Sequence, residues 1–186
     1  MQLKINVCLL FIFMLTTNFT QAKSLNEIIP VGFEIRDSVS GNLNDDKYQD
    51  MILVLKRIGE DSLSLTSDFA IKREALILYG DEQGYTVIAR NMNVVSCCTC
   101  GGVLGDPYVG VTIENQTFSV SHYGGGVWRW GRVSTFGKNT TGTWVLITDE
   151  NETFNAVNQT ETTENTVTTP KEFGIITFQQ YDFDKE

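Results

Sequence analysis

The sequence predicts an all-β protein, and two observations carry that reading. Apolar runs of about five residues recur every 8–15 residues, each bounded by Gly-, Asn- or Asp-rich turns. No stretch after the first twenty-odd residues keeps the 3.6-residue apolar period of a long amphipathic helix. We expect a single domain of mainly antiparallel strands, a sandwich or a strongly twisted sheet, with a few short helical turns. No segment repeats along the chain, which argues against a propeller of repeated blades.

The first residues form a targeting signal. Lys4 supplies the positive region, Val7 to Leu15 the apolar stretch, and Thr20-Gln21-Ala22 a small-residue cleavage site. The apolar run is shorter than the roughly 20 residues a membrane-spanning helix needs. Residues 1–22 are therefore expected to be a signal peptide and 23–186 the domain, secreted or periplasmic, with no membrane insertion after cleavage. The 186-residue chain carries a net charge of −9, and Lys4 is the only charged residue before the cleavage point. No Lys/Arg cluster offsets this acidity, so neither a nucleic-acid surface nor docking to an anionic membrane is expected.

In chain order, Ile28 to Ser40 reads as a strand with Val31, Phe33 and Ile35 alternating. Met51 to Leu55 is a near-continuous apolar strand. Arg57 to Asp68 reads as a polar loop holding one helical turn capped by Ser67. Glu74–Tyr79 and Tyr85–Ala89 form a hairpin across Gly80–Gly84. Asn91 to Tyr108 holds all three mature cysteines and reads as an ordered irregular loop. Val109–Ile113 and Thr117–Val120 form a second hairpin, and Tyr123–Gly126 turns the chain into Val127–Phe136. Thr143–Thr148 follows, then a polar, solvent-facing Thr/Asn/Glu-rich segment at 149–170, and a last strand at Phe173–Phe178.

The stretch with the most chemistry is Gly41 to Asp50. Asn42, Asn44, Asp46 and Asp50 stand at positions 1, 3, 5 and 9 of a loop, and the carbonyl of Tyr48 lies between the last two. Oxygens at alternate positions of a tight turn converge on a hard cation, which points to calcium in a structural role. An EF-hand would need Gly at position 6 and Glu at position 12, where this chain has Lys47 and Leu53. With few carboxylates among the ligands, affinity is expected at about 10⁻⁴–10⁻³ M, as in extracellular modules.

This loop resembles the calcium loop of FG-GAP or VCBS repeats, with Asn42 in place of the usual first Asp and Lys47 in place of Gly. Pro30–Phe33, Gly101–Tyr108, Tyr123–Trp130 and Trp144–Ile147 extend the resemblance to a group of secreted bacterial proteins of uncharacterised activity that carry one such loop. The resemblance implies a bacterial source, in which the sequons at Asn115, Asn139, Asn151 and Asn158 have no glycosylation meaning by themselves.

Cys97-Cys98-Thr99-Cys100 lacks the basic surroundings of a redox thiol and the four ligands of a zinc site. In an exported protein it is expected to be a disulfide staple, Cys97–Cys100 or Cys98–Cys100, with one thiol left over. Trp128 and Trp130 share one strand face, with Arg129 on the other. They are either core or, with Tyr123, a stacking platform for a protein or glycan partner. The expected function is a non-catalytic binding module. Its alternatives are an inhibitor or immunity protein acting on a cell-wall hydrolase, and a small hydrolase using Asp106 and His122.

Overall fold

The computed structural model describes residues 22–158 and 164–185, so the expected signal peptide lies outside the described residues but for Ala22. Two antiparallel sheets make up an all-β sandwich. The first contains β1 (Phe33–Gly41), β2 (Asp50–Arg57), β3 (Glu74–Gly80) and β4 (Tyr85–Asn91), in that spatial order. The second contains β5 (Tyr108–Glu114), β6 (Thr117–Gly125), β7 (Trp128–Lys138), β8 (Trp144–Asn155) and β9 (Glu164–Thr168), again in order.

The unbroken apolar run of β2 follows from its place beside β3 at the centre of the first sheet, buried on both faces. Ile52 and Val54 join Ala75 and Ile77 on the side that meets Phe118, Val120, Phe136 and Leu146 of the second sheet. Met51, Leu53, Leu55, Leu76 and Leu78 face the other way and are covered by Leu25 and Ile28 of helix α1 (Leu25–Ile28). One edge of each sheet meets the other. A Cβ on Gly41 of β1 would lie 2.7 Å from Ile113 of β5, so only glycine allows that approach. The β5–β6 hairpin turns on Asn115 and Gln116, both at positive φ, the geometry of a two-residue type I′ turn.

Four readings of the sequence need correction. The first strand begins at Phe33, and Leu25–Ile28 before it is α1, started by a capping box of Ser24 and Glu27. Helix α2 (Glu60–Thr66) lies in the expected polar loop, but Ser67 ends it rather than capping its start.

The C-terminal third differs most. Asp149–Asn155 continues β8, and Glu164–Thr168 is β9, so much of the polar segment is a hairpin. An edge ribbon with both faces near water needs β-branched residues but not apolar ones, and Thr and Val supply that. Phe173–Phe178 is not a strand. Thr169, Pro170 and Glu172 start helix α3 (Pro170–Phe173) through a capping box with Pro at its first position. The following chain bridges Val145 only at Thr177, then drives Phe178 and Tyr181 into the core. Their rings meet Phe118 and Phe136 edge-on, at 5.7 and 5.2 Å.

Candidate functional site

The calcium-type loop joins β1 to β2 and is wound on its own side chains. Asp46 N–H donates to Asn44 Oδ1 at 3.0 Å, and Tyr48 N–H donates to Asp46 Oδ1 at 2.8 Å. Asn42 Nδ2 donates to the Asp46 carbonyl at 3.0 Å. Asp50 is fully buried, and its carboxylate accepts three amides: Leu43 at 2.8 Å, Asn44 at 3.1 Å and Gly80 at 3.0 Å. Asp50 is thus the loop's anchor. With Asp50 taken up by these amides, the loop's remaining oxygen donors are those of Asn42, Asn44, Asp46 and the Tyr48 carbonyl, an oxygen-only set with one carboxylate. Such a set matches a weak hard-cation site in chemistry.

Asp106 and His122 sit in different settings, and neither is poised for proton transfer. Arg73, 1% exposed, lies between two carboxylates. Its Nη1 and Nη2 each donate at 2.8 Å to Asp106, and its Nε and Nη2 donate at 2.8 and 2.7 Å to Glu60. Burial opposes ionisation of Asp106, but the bonds from Arg73 and from Tyr108 N–H prevail and hold its carboxyl below the usual range. Burial, with the nearby Arg132 guanidinium, pushes His122 down to about 4. Its Nε2 accepts Ser96 N–H at 3.2 Å, and its buried Nδ1 has no hydrogen-bond partner. A neutral imidazole shut off from solvent has no route for exchanging protons with a substrate.

The disulfide is Cys97–Cys100, and Cys98 is a buried free thiol with its sulfur 3.0 Å from Ser64 Oγ. Directly after the disulfide, Gly101–Gly105 folds back on itself, Gly101 N–H donating to the Gly105 carbonyl at 2.7 Å. This small loop docks on the turn between β6 and β7. Gly125 N–H donates to the Gly101 carbonyl at 2.9 Å, and Gly102 bridges Gly125. The contact requires glycine at Gly125, where φ is +108 and a Cβ would sit 2.1 Å from the Trp128 carbonyl oxygen. The two glycine-rich motifs thereby form one apex. Its tip carries Val103, 81% exposed, with Val127, Trp128 at 51% and Leu104.

The expected aromatic platform is divided. Register places Tyr123 opposite Gly131 and Gly124 opposite Trp130, so Tyr123 and Arg129 share one face while Trp128 and Trp130 share the other. Tyr123 stacks on Phe154, with centroids 6.4 Å apart. Arg129 Nη1 donates to the Gly125 carbonyl at 3.3 Å. Trp130 is half-buried, resting on bare Gly124 and beside Phe183 at 6.1 Å. Trp128 alone of the pair projects at the apex.

Reading the sequence missed Arg73, Glu60 and the Arg132–Asp149 pair. Arg132 donates to Asp149 through Nε at 3.0 Å and Nη2 at 2.7 Å, and Ser134 Oγ adds a bond at 2.7 Å. Nothing local marks these residues as buried, because the elements that cover them arrive from distant parts of the chain. Among the described residues, no helix is long and apolar enough to cross a membrane. No protein-family model matches the chain, and no curated protein or solved structure is significantly similar to it.

Proposed function

We propose that this protein is an exported, non-catalytic binding module that meets a protein partner through the apex built from Gly101–Gly105 and Gly124–Trp128. One observation carries the reading: Val103, Val127 and Trp128 stand exposed on two loops tied to each other by backbone hydrogen bonds and anchored by a disulfide. Apolar side chains held rigidly in water lose little entropy on binding and gain the full burial of their surface. Trp is also the residue type most enriched among those that dominate interface energetics. The buried, neutral His122 and the Arg73-bound Asp106 support a non-catalytic role over the hydrolase alternative.

Calcium belongs to this reading as a structural ion, held by Asn42, Asn44, Asp46 and the Tyr48 carbonyl, with Asp50 bracing the loop from within. The disulfide suits an oxidising compartment, in keeping with export through the N-terminal signal.

The test is cross-linking of the mature protein to its partner in intact cells. A photoreactive residue at Val103 is compared with one at Thr141, on a separate turn. Specific adducts from position 103 that disappear in Trp128→Ser, with an unchanged melt, support the apex. Equal labelling from both positions, or adducts insensitive to Trp128→Ser, overturns it. Addition of the purified protein to a cell-wall hydrolase assay separates the inhibitor version of this role, which requires loss of lytic activity.

A further inference from the structure

Below the apex, the outer face of β7, β8 and β9 holds a cleft of about 330 Å³, and it has its own chemistry. Register places Gly131, Glu152 and Asn165 side by side across the three strands, and Val133, Glu150 and Val167 in the next row. Tyr123 of β6 closes the first row opposite Gly131. The missing side chain of Gly131 makes the hollow. A Cβ built there would still stand 4.0 Å from both Glu152 Oε2 and the Tyr123 ring.

The charges in this cleft are one-sided. Glu150 and Glu152 are exposed, lie on one face roughly 7 Å apart along the strand, and enter no ion pair among the described residues. Two cations lie near, and both are engaged elsewhere. Arg132 lines the cleft with its backbone strand, but its guanidinium is on the opposite face against Asp149. Arg129 sits one row toward the apex and donates to the Gly125 carbonyl.

Two like carboxylates, an aromatic wall and a side-chain-sized hollow share one complement. We infer that the cleft receives an arginine side chain of the partner, an inference that rests on the binding-module reading above. The guanidinium lies over Gly131, with a carboxylate of Glu152 at its edge and the face of Tyr123 against its plane. Glu150 supplies a second acceptor. Val133 and Val167 flank the row where the methylene stem runs. Arginine fits better than lysine because its planar fork pairs with carboxylates and stacks on aromatic rings, and it sheds water more readily than an ammonium.

The probe is the tripeptide acetyl-Val-Arg-Val-amide, titrated into the isotopically labelled mature protein at low ionic strength. Its citrulline and lysine analogues and chitotetraose serve as comparisons. Amide signals of Tyr123, Gly131, Glu152 and Asn165 should shift saturably with the arginine peptide and stay still with the citrulline peptide. Glu152→Gln should weaken binding roughly fivefold, the value of about one kcal/mol for an exposed pair. Gly131→Val should abolish it; a Cβ at this position stands 4.0 Å from its nearest neighbours and valine suits a strand, and a melt unchanged from the native protein checks that the fold is retained. Shifts spread over Asp61 and Asp81 (exposed carboxylates outside the cleft), equal response to citrulline, tighter binding of lysine, or chitotetraose moving the same signals would each overturn the inference. So would unchanged binding by Gly131→Val. The titration needs no natural partner, and Trp128→Ser should leave it intact, so failure of the apex and failure of the cleft read out separately.

Discussion

Asp50 and Gly80 stand thirty residues apart, yet the buried Asp50 Oδ1 accepts the Gly80 amide at 3.0 Å. A Cβ on Gly80 would fall 2.2 Å from the Gln49 carbonyl oxygen, so glycine there is a condition of the contact. The other carboxylate oxygen holds Leu43 and Asn44, and Leu43 is a fully buried plug. One side chain therefore ties the loop to the end of β3 and to the core.

Asp50→Ala should destabilise the domain by about 3–5 kcal/mol with or without calcium, because it strands three amides that the carboxylate now satisfies. Asp46→Ala is the clean probe of the metal, since Asp46 accepts a single backbone amide within the loop. Millimolar calcium should raise the melting temperature of the native protein over that in chelator, and Asp46→Ala should erase the difference. Identical native melts in both conditions refute a calcium site.

Stability should fall on mild acidification through His122. Its pKa is about 4 in the fold against an ordinary 6.5. The unfolded chain thus binds the proton first, and stability present above pH 6.5 is lost as pH drops from about 6.5 to about 4. The full loss is about 3 kcal/mol. Urea melts at pH 7 and pH 4.5 should show it, and His122→Gln should flatten that part of the profile. A native protein equally stable at both values would contradict the assignment.

Arg73 makes the two sides of its ion-pair network unequal. Glu60 is 1% exposed and Asp106 31% exposed at the side chain. Glu60→Ala should cost about 3–5 kcal/mol, the value for breaking a buried pair. Asp106→Ala should cost less, because water can reach the guanidinium face it leaves. Denaturant melts that reverse this order would overturn the picture.

Trp128 and Gly124 test which indole belongs to the fold. Trp128→Ala should change stability by no more than about 0.5 kcal/mol, as at an exposed position. Gly124→Ala should cost about 1–3 kcal/mol through overpacking, because its Cβ would lie 2.5 Å from the Trp130 ring. Equal melts for the two variants would put Trp130, too, outside the packed structure.

The mature chain should show no thiol reactive to Ellman's reagent while folded and one when unfolded without reductant, since Cys98 is buried beside the Cys97–Cys100 bond. Cys97→Ser/Cys100→Ser should lower stability by about 2 kcal/mol, the chain-entropy value for so short a closed loop. Two or more free thiols in unfolded protein would contradict the pairing.

Local pattern determined a good deal of this protein. The apolar run Met51–Leu55 announced a central strand, Gly80–Gly84 and Glu114–Gln116 announced turns, and Gly-flanked cysteines announced a staple. Each is set by neighbours within a few residues, through burial period, turn chemistry or loop length. The polar β8–β9 ribbon was hidden because an edge strand near water carries no apolar signature. Helix α3 was hidden because Phe173, Ile175 and Phe178 resemble a strand until the Thr169–Glu172 capping box is weighed.

Only the tertiary structure decided what the chemistry-bearing residues do. The spacing of Asn42 to Asp50 is the same whether Asp50 faces a cation or the Gly80 amide, and the packing of β3 settled that it meets the amide. Asp106 and His122 look like an acid and a base in sequence. Arg73, brought in from β3's leading edge, and burial under Phe183 turned them into structural groups. Tyr123 was parted from Trp128 and Trp130 by register alone, because the side chains of successive strand residues point to opposite faces. Desolvation, charge pairing and strand register depend on what lies across space, and no window of sequence contains that information.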